Sequence, residues 1–212
     1  MLDRLRKALD EVTHKLGSKS QADVVTVVSG LPRSGTSMMM AMLEAGGLAP
    51  LTDGEREANV DNPKGYYEFE RVKKLDKGDT AWVPQARGKA VKVISALLRH
   101  LPESERYRVI FMRRELKEVL ASQKKMLERR GEDPDKASDE ELEELFLQHI
   151  DHVQAWAGDH GNVELLEVSY NEIMADATGP VHQVNTFVGG GLDEQAMLDV
   201  VDPDLYRNRA QG

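Results

Sequence analysis

The sequence predicts a three-layer α/β domain, a central parallel sheet flanked by helices. Three observations lead there. Short β-branched runs recur along the chain, DVVTVVS at 23–29, AVKVI at 90–94, RVIFM at 108–112 and VELLEV at 163–168. Longer stretches with helical spacing separate them. The first run ends at Gly30 and feeds directly into a Met- and Leu-rich helical segment. Strands that alternate with helices build a parallel sheet covered on both faces.

Each element follows from local chemistry. Over 1–20, Leu2, Leu5, Val12 and Leu16 recur near helical spacing within a charged stretch, which predicts an amphipathic helix docking on the domain or on a second copy. The first strand, 23–29, reads as fully buried, and the helix over 36–44 follows it. Residues 48–65 are rich in Gly, Pro, Asp and Asn and read as a loop, with a helical segment at 66–77. Strands at 90–94 and 108–112 precede a helix over 115–130, with Leu116, Val119, Leu120, Met126 and Leu127 on one side. GEDPDKAS at 131–138 is a linker-like break before an acidic helix over 139–156, so 131–160 reads as an acidic helical insertion. The fourth strand at 163–168 leads into a helical region that runs to the glycines at 189–191 and a polar tail from Asp202. No internal repeat appears, and one domain over 1–212 accommodates everything.

Bulk composition narrows the function. At 212 residues the chain suits one α/β domain, and 28 Lys plus Arg against 37 Asp plus Glu leave a net charge of −9. That sign argues against nucleic acid and anionic membranes as partners, since both need a positive field. A small anion remains open, because a few arginines and backbone dipoles can dominate one cleft. There is no Cys, hence no disulfide, thiolate metal site or cysteine nucleophile. The charged N-terminal stretch lacks the apolar core of a secretion signal, and no apolar run approaches the ~20 residues of a membrane span. A cytoplasmic protein is expected.

GLPRSGTS at 30–37 carries the clearest chemistry. Small residues between a strand and a helix let backbone N–H groups converge on an anion, and the helix start adds a favourable dipole. Gly30, Gly35 and Ser37 are in register with a nucleotide-phosphate loop, so the fold class becomes P-loop NTPase-like. Thr36 stands where such a loop carries its Lys, which argues against ATP hydrolysis or phosphoryl transfer. The available cation is Arg33. A second basic segment, RVIFMRRELKEVLAS at 108–122, delivers Arg113 and Arg114 at a strand end, and Ser122 follows Arg114 by eight residues, just over two helical turns. An Arg and a hydroxyl on similar sides suit a phosphate monoester.

These motifs resemble those of sulfotransferases that use PAPS (3′-phosphoadenosine 5′-phosphosulfate). PRSGTS looks like their 5′-phosphosulfate loop, close to the Arg form of tyrosylprotein sulfotransferases and many bacterial relatives. The resemblance implies that Arg33, Ser34, Gly35, Thr36 and Ser37 surround the 5′-phosphosulfate, with Arg33 stabilising charge on the transferring group. It implies that Arg114 and Ser122 bind the 3′-phosphate and select PAPS over ATP. AVKVISALLRHLP at 90–102 is similar to a strand of the cytosolic enzymes, which places Lys92 beside the sulfuryl group. The histidine base of those enzymes would fall at Ile94, and His100 does not match that position. LEVSYNE at 166–172 is similar to a family strand whose Tyr contacts adenine, making Tyr170 the adenine neighbour. The family's later Lys-Gly-rich motif has no counterpart beyond Arg207 and Arg209, which read as a solvated end.

The acceptor's proton needs a base. Tyrosylprotein sulfotransferases use a Glu in the loop after the P-loop helix, and in LTDGERE at 51–57 the nearest match is Glu55, with Asp53 and Glu57 beside it. DNPKGYYE at 61–68 is similar to a segment of bacterial relatives, with Tyr66 or Tyr67 as a wall of the acceptor site and Glu68 as a second candidate base. His149 and His152 are three apart on the acidic helix, a spacing more often solvated than metal-binding, and the chemistry implied needs no metal. The expected activity is sulfuryl transfer from PAPS, with PAP as product, to an alcohol, phenol or amine. A P-loop kinase and a non-catalytic PAP-binding or partner-binding module stand as alternatives.

Overall fold

The computed structural model describes residues 23–53, 67–134 and 136–202. The amphipathic helix expected over 1–20, the dimer contact assigned to it, and Arg207 and Arg209 lie outside those residues. So do Glu55, Glu57 and Tyr66.

Four strands form one parallel sheet in the order β2-β1-β3-β4: β1 Val24–Gly30, β2 Ala90–Lys92, β3 Arg106–Arg113 and β4 Val163–Ser169. Every residue of β1 is buried, as its unbroken apolar run requires of a central parallel strand. The two-residue side-chain period splits the sheet's faces. Val25, Val27, Val91, Val109 and Phe111 meet Trp82, Leu98, Ile150 and Val153 on one face. Val28, Ala90, Ile110 and Met112 meet Met39, Met40, Leu43, Val181 and Val184 on the other. Ile110 is 0% exposed at the centre of this second layer. Ile110→Ala should therefore cost about 3 kcal/mol, read as a lower urea midpoint with an unchanged slope.

Crossover handedness places the helices. The chain leaves β1 toward β2 through α1 (Thr36–Ala45) and returns across β1 to β3 through a 3-10 segment, Ser95–His100. It continues outward to β4 through α2 (Leu116–Arg130) and α3 (Asp139–Asp159). These paths run in opposite directions along the sheet, so right-handed crossovers must lie on opposite faces. Accordingly α1 contributes to the Met-rich layer, while Leu98 and α3 contribute to the aromatic one. After β4, three short helices, α4 (Tyr170–Ala175), α5 (Thr178–Val188) and α6 (Glu194–Asp199), complete the Met-rich side.

Several boundaries differ from the sequence reading. The helix expected at 66–77 is a 3-10 segment, Glu70–Lys77, whose first N–H is capped by Asp53 Oδ2 at 2.6 Å. Strand β2 stops at Lys92, because Ser29 Oγ donates to the Val93 carbonyl (2.8 Å) and the chain then turns. Strand β3 starts earlier, at Arg106, paired with Val24. The acidic helix runs on to Asp159 from a capping box in which Ser138 and Glu141 satisfy each other's backbone N–H. Those hydrogen bonds lower the Glu141 pKa. The contribution is therefore fully present above the ordinary carboxylate range and lost as pH falls from there through the lowered folded-state value.

Candidate active site

The strand order reverses between β1 and β3, and ligands of open α/β sheets bind outside the carboxyl ends of the strands at such a point. The loop 30–37 leaves β1 there, and Arg113 and Arg114 leave β3 beside it. Topology thus brings together the two segments that the sequence singled out.

The loop is shaped for close approach. Gly30 and Gly35 have φ of 151° and 98°, and Arg33, not a glycine, sits at φ 69°. A left-handed Arg costs roughly 1–2 kcal/mol and marks a conformation imposed by its surroundings. Ser34 is buried, with its N–H and Oγ both donating to the Leu31 carbonyl, at 3.2 and 2.7 Å. Helix α1 begins at Gly35 with no side-chain cap and no acidic residue in its first turn. Its N-cap residue supplies no side-chain acceptor to the first-turn N–H groups, a cradle that fits an anion.

Two arginines close the cradle. Arg33 Nε donates to Ser122 Oγ on α2 (2.9 Å), and Arg114 Nη1 donates to the Arg33 carbonyl (3.1 Å). Arg114 Nε also donates to Glu118 Oε2 at 2.9 Å, a pair only 8% and 2% exposed. The guanidinium of Arg114 lies 4.5 Å from the centre of the Tyr170 ring, a cation–π distance. Tyr170 is buried, which pushes its phenol up, with Arg114 and Arg33 acting in the opposite sense. Its ring also abuts Gly35, where a Cβ would stand 2.5 Å from Cδ2. Lys92 reaches the loop from the other side, Nζ to Ser37 Oγ at 3.4 Å. A cavity of about 310 Å³ opens next to Arg114, lined also by Arg113, Lys117, Leu147 and Asn171.

Arg33, Lys92, Arg114, Ser122 and Tyr170 thus converge around the loop. Glu55 lies outside the described residues. Asp53 caps the 3-10 segment, and Glu68 pairs with Lys73 at 3.4 Å. His149 does not share a ligand set with His152: it turns onto Ser95 Oγ at 2.9 Å, while His152 is exposed. No cluster of metal-binding side chains occurs among the described residues. The sequence reading missed Glu118, although its spacing four residues after Arg114 is an ion-pair spacing on a helix. It also missed the Ser95–His149 contact, which no sequence pattern announces.

Residues 23–206 match the family model for the sulfotransferase domain, and the chain belongs to that family. The sulfotransferase domain of the Synechococcus PCC 7002 olefin synthase superposes with a TM-score of 0.50 at 17% identity, covering 88% of this chain and 83% of that one. The sulfotransferase domain from the curacin biosynthetic pathway gives 0.52 at 12% identity, covering 86% and 79%. These two share the fold. No curated protein matches the chain. Its reaction class is accordingly sulfuryl transfer, and the kinase alternative falls away.

Proposed function

We propose that the chain transfers the sulfuryl group of PAPS to a hydroxyl or amine acceptor in the cytoplasm. The observation that supports this reading best is the linkage of the loop to Arg114 and Ser122 through Arg33, as two adjacent anion sites would require. The start of α1, with Arg33, Thr36, Ser37 and Lys92, would hold the 5′-phosphosulfate. Arg114 and Ser122 would hold the 3′-phosphate, and Tyr170 would border the adenine. Arg33 and Lys92 are the cations that can balance charge as the bridging oxygen departs with the 5′-phosphate. Among the described residues no helix is long and apolar enough to cross a membrane.

Calorimetric titration with PAP, with ATP and ADP as controls, tests the donor. PAP should bind at micromolar concentration or tighter and ATP much more weakly. Ser122→Ala should weaken PAP about tenfold, the size of one lost hydrogen bond to a charged group. Equal affinity for PAP and ATP would remove the 3′-phosphate site from the proposal. Lys92→Ala should instead lower turnover by roughly a hundredfold with little change in PAP affinity, since PAP lacks the sulfuryl group.

A further inference from the structure

Sulfuryl transfer leaves one proton unassigned among the described residues near the loop. Lys92 and the arginines are cations, Asp53 is engaged as a cap, Glu68 pairs with Lys73, and Ile94 carries no titratable group. One imidazole stands at the same edge of the sheet, with the carboxylates Glu115 and Glu143 in the cavity lining beyond it. Just past Lys92 the chain turns, with Ile94 51% exposed and Ser95 buried. The Ser95 hydroxyl meets His149 Nε2 at 2.9 Å, and His149 Nδ1 has no hydrogen-bond partner among the described residues. Helix α3, which carries His149, crosses from the cavity beside Arg114, which Leu147 and Glu143 line, to the turn that follows β2. His149 thus stands beside the turn that begins just past Lys92, whose Nζ reaches Ser37 of the loop.

The large exposed apolar side chains among the described residues are Ile94, Leu145 and Leu147. Ile94 adjoins Ser95 in the chain, and Leu145 lies one helical turn before His149. Two of the three thus flank the Ser95–His149 contact, and the third faces the adjoining cavity.

We propose that His149 takes the proton of the acceptor hydroxyl while Ile94 and Leu145 receive the acceptor's hydrocarbon, so that the substrate is an apolar alcohol or phenol. The proposal rests on the sulfotransferase reading above. In the step, the acceptor oxygen forms a bond to sulfur, the sulfur–oxygen bond to the donor's 5′-phosphate breaks, and that electron pair leaves with the phosphate. The acceptor proton passes to His149 Nδ1, with Ser95 holding Nε2–H and so fixing the tautomer. Burial holds the His149 pKa below the usual 6.5, and the charged or titratable groups facing it, His152 on its own helix and Arg99 on the 95–100 turn, act in the same direction. The imidazole is then a neutral proton acceptor at pH 7.

The test uses the full chain with PAPS and a panel of n-alkanols and 4-substituted phenols, beside PAP titration. Wild type should turn over the panel, with activity rising as pH climbs through a value below 6.5. His149→Gln should bind PAP normally, lose that rise, and lose about 10²–10⁴-fold on the alkanols and weakly acidic phenols. On 4-nitrophenol, assayed at about pH 8 where it is largely ionised, the loss should be under tenfold. Ser95→Ala should show a smaller loss with the same dependence on acceptor acidity, and Leu145→Gln should raise KM for the longer alkanols. A loss equal across all acceptors, no loss at all, or failure of wild type to use any of the panel overturns the proposal. Retained activity in His149→Gln alongside its loss in Glu55→Gln assigns the proton to Glu55 instead. Absent PAP binding to wild type would strike the donor reading, which none of the acceptor outcomes touches.

Discussion

Arg114→Ala should lower stability by about 3–5 kcal/mol and abolish PAP binding at the same time. Glu118 is 2% exposed and its carboxylate is paired with Arg114 Nε, so removing the guanidinium takes the countercharge from a buried carboxylate. The same side chain holds the Arg33 carbonyl and covers the face of Tyr170, so its loss releases the loop from β3 and from the base of the cradle. Stability and binding can be separated by a second variant. Arg114→Leu with Glu118→Leu removes both charges and fills the space, and exchanging a buried ion pair for apolar groups of similar volume is often neutral or better. That double variant should recover most of the urea midpoint while still failing to bind PAP. A single Arg114→Ala as stable as wild type would show that the pair is not held in a dry environment. Full PAP binding by the double variant would remove Arg114 from the 3′-phosphate site.

The same cluster shows what a sequence can and cannot reveal. The strands over 23–29 and 108–112 were legible because both are central, and burial on both faces leaves a nearly continuous apolar run. The edge strand over 163–168, only half-buried and carrying Glu164 and Glu167, was legible from its Val and Leu residues instead. Strand β2 was overextended, because Val93 and Ile94 keep the β-branched pattern after pairing has ended. The 3-10 segments at 83–86 and 95–100 carry too few residues for any period to register. The helical region after β4 resolved into three pieces because Ser169 and Asp193 cap new starts, signals present in the sequence but hidden among other polar residues. At the site, the loop and the Arg114–Ser122 interval were readable because both are local spacings. That Arg33 bridges them depends on a left-handed backbone at a non-glycine residue, which no propensity predicts. Ser95 and His149 lie 54 positions apart, and only the packing of α3 over the sheet edge makes them neighbours.

Gly30→Ala should be among the most damaging single methyl additions to this chain. A Cβ at position 30 would stand 2.5 Å from Ser34 Oγ and 2.7 Å from the Met112 carbonyl oxygen. Neither can retreat readily. Ser34 is 1% exposed and donates to the Leu31 carbonyl, and Met112 is β3 backbone inside the sheet. The φ of 151° adds strain for any L side chain. Overpacking of a rigid site and an unfavourable backbone angle each cost about 1–3 kcal/mol, so together roughly 2–6 kcal/mol is expected. Gly131→Ala isolates the backbone part: its φ is +70° at the end of α2 and nothing lies within 4 Å of the added carbon. That variant should lose only about 1–2 kcal/mol and bind PAP as wild type does. Gly30→Ala, examined at a temperature where it stays folded, should also lose PAP affinity, because relief of the clash must move Ser34 and with it the N–H groups that face the anion. Equal effects of the two substitutions on the melting midpoint would mean that the strand-to-loop corner is softer than its contacts imply. The tight loop would then owe its shape to the bound nucleotide and not to the fold.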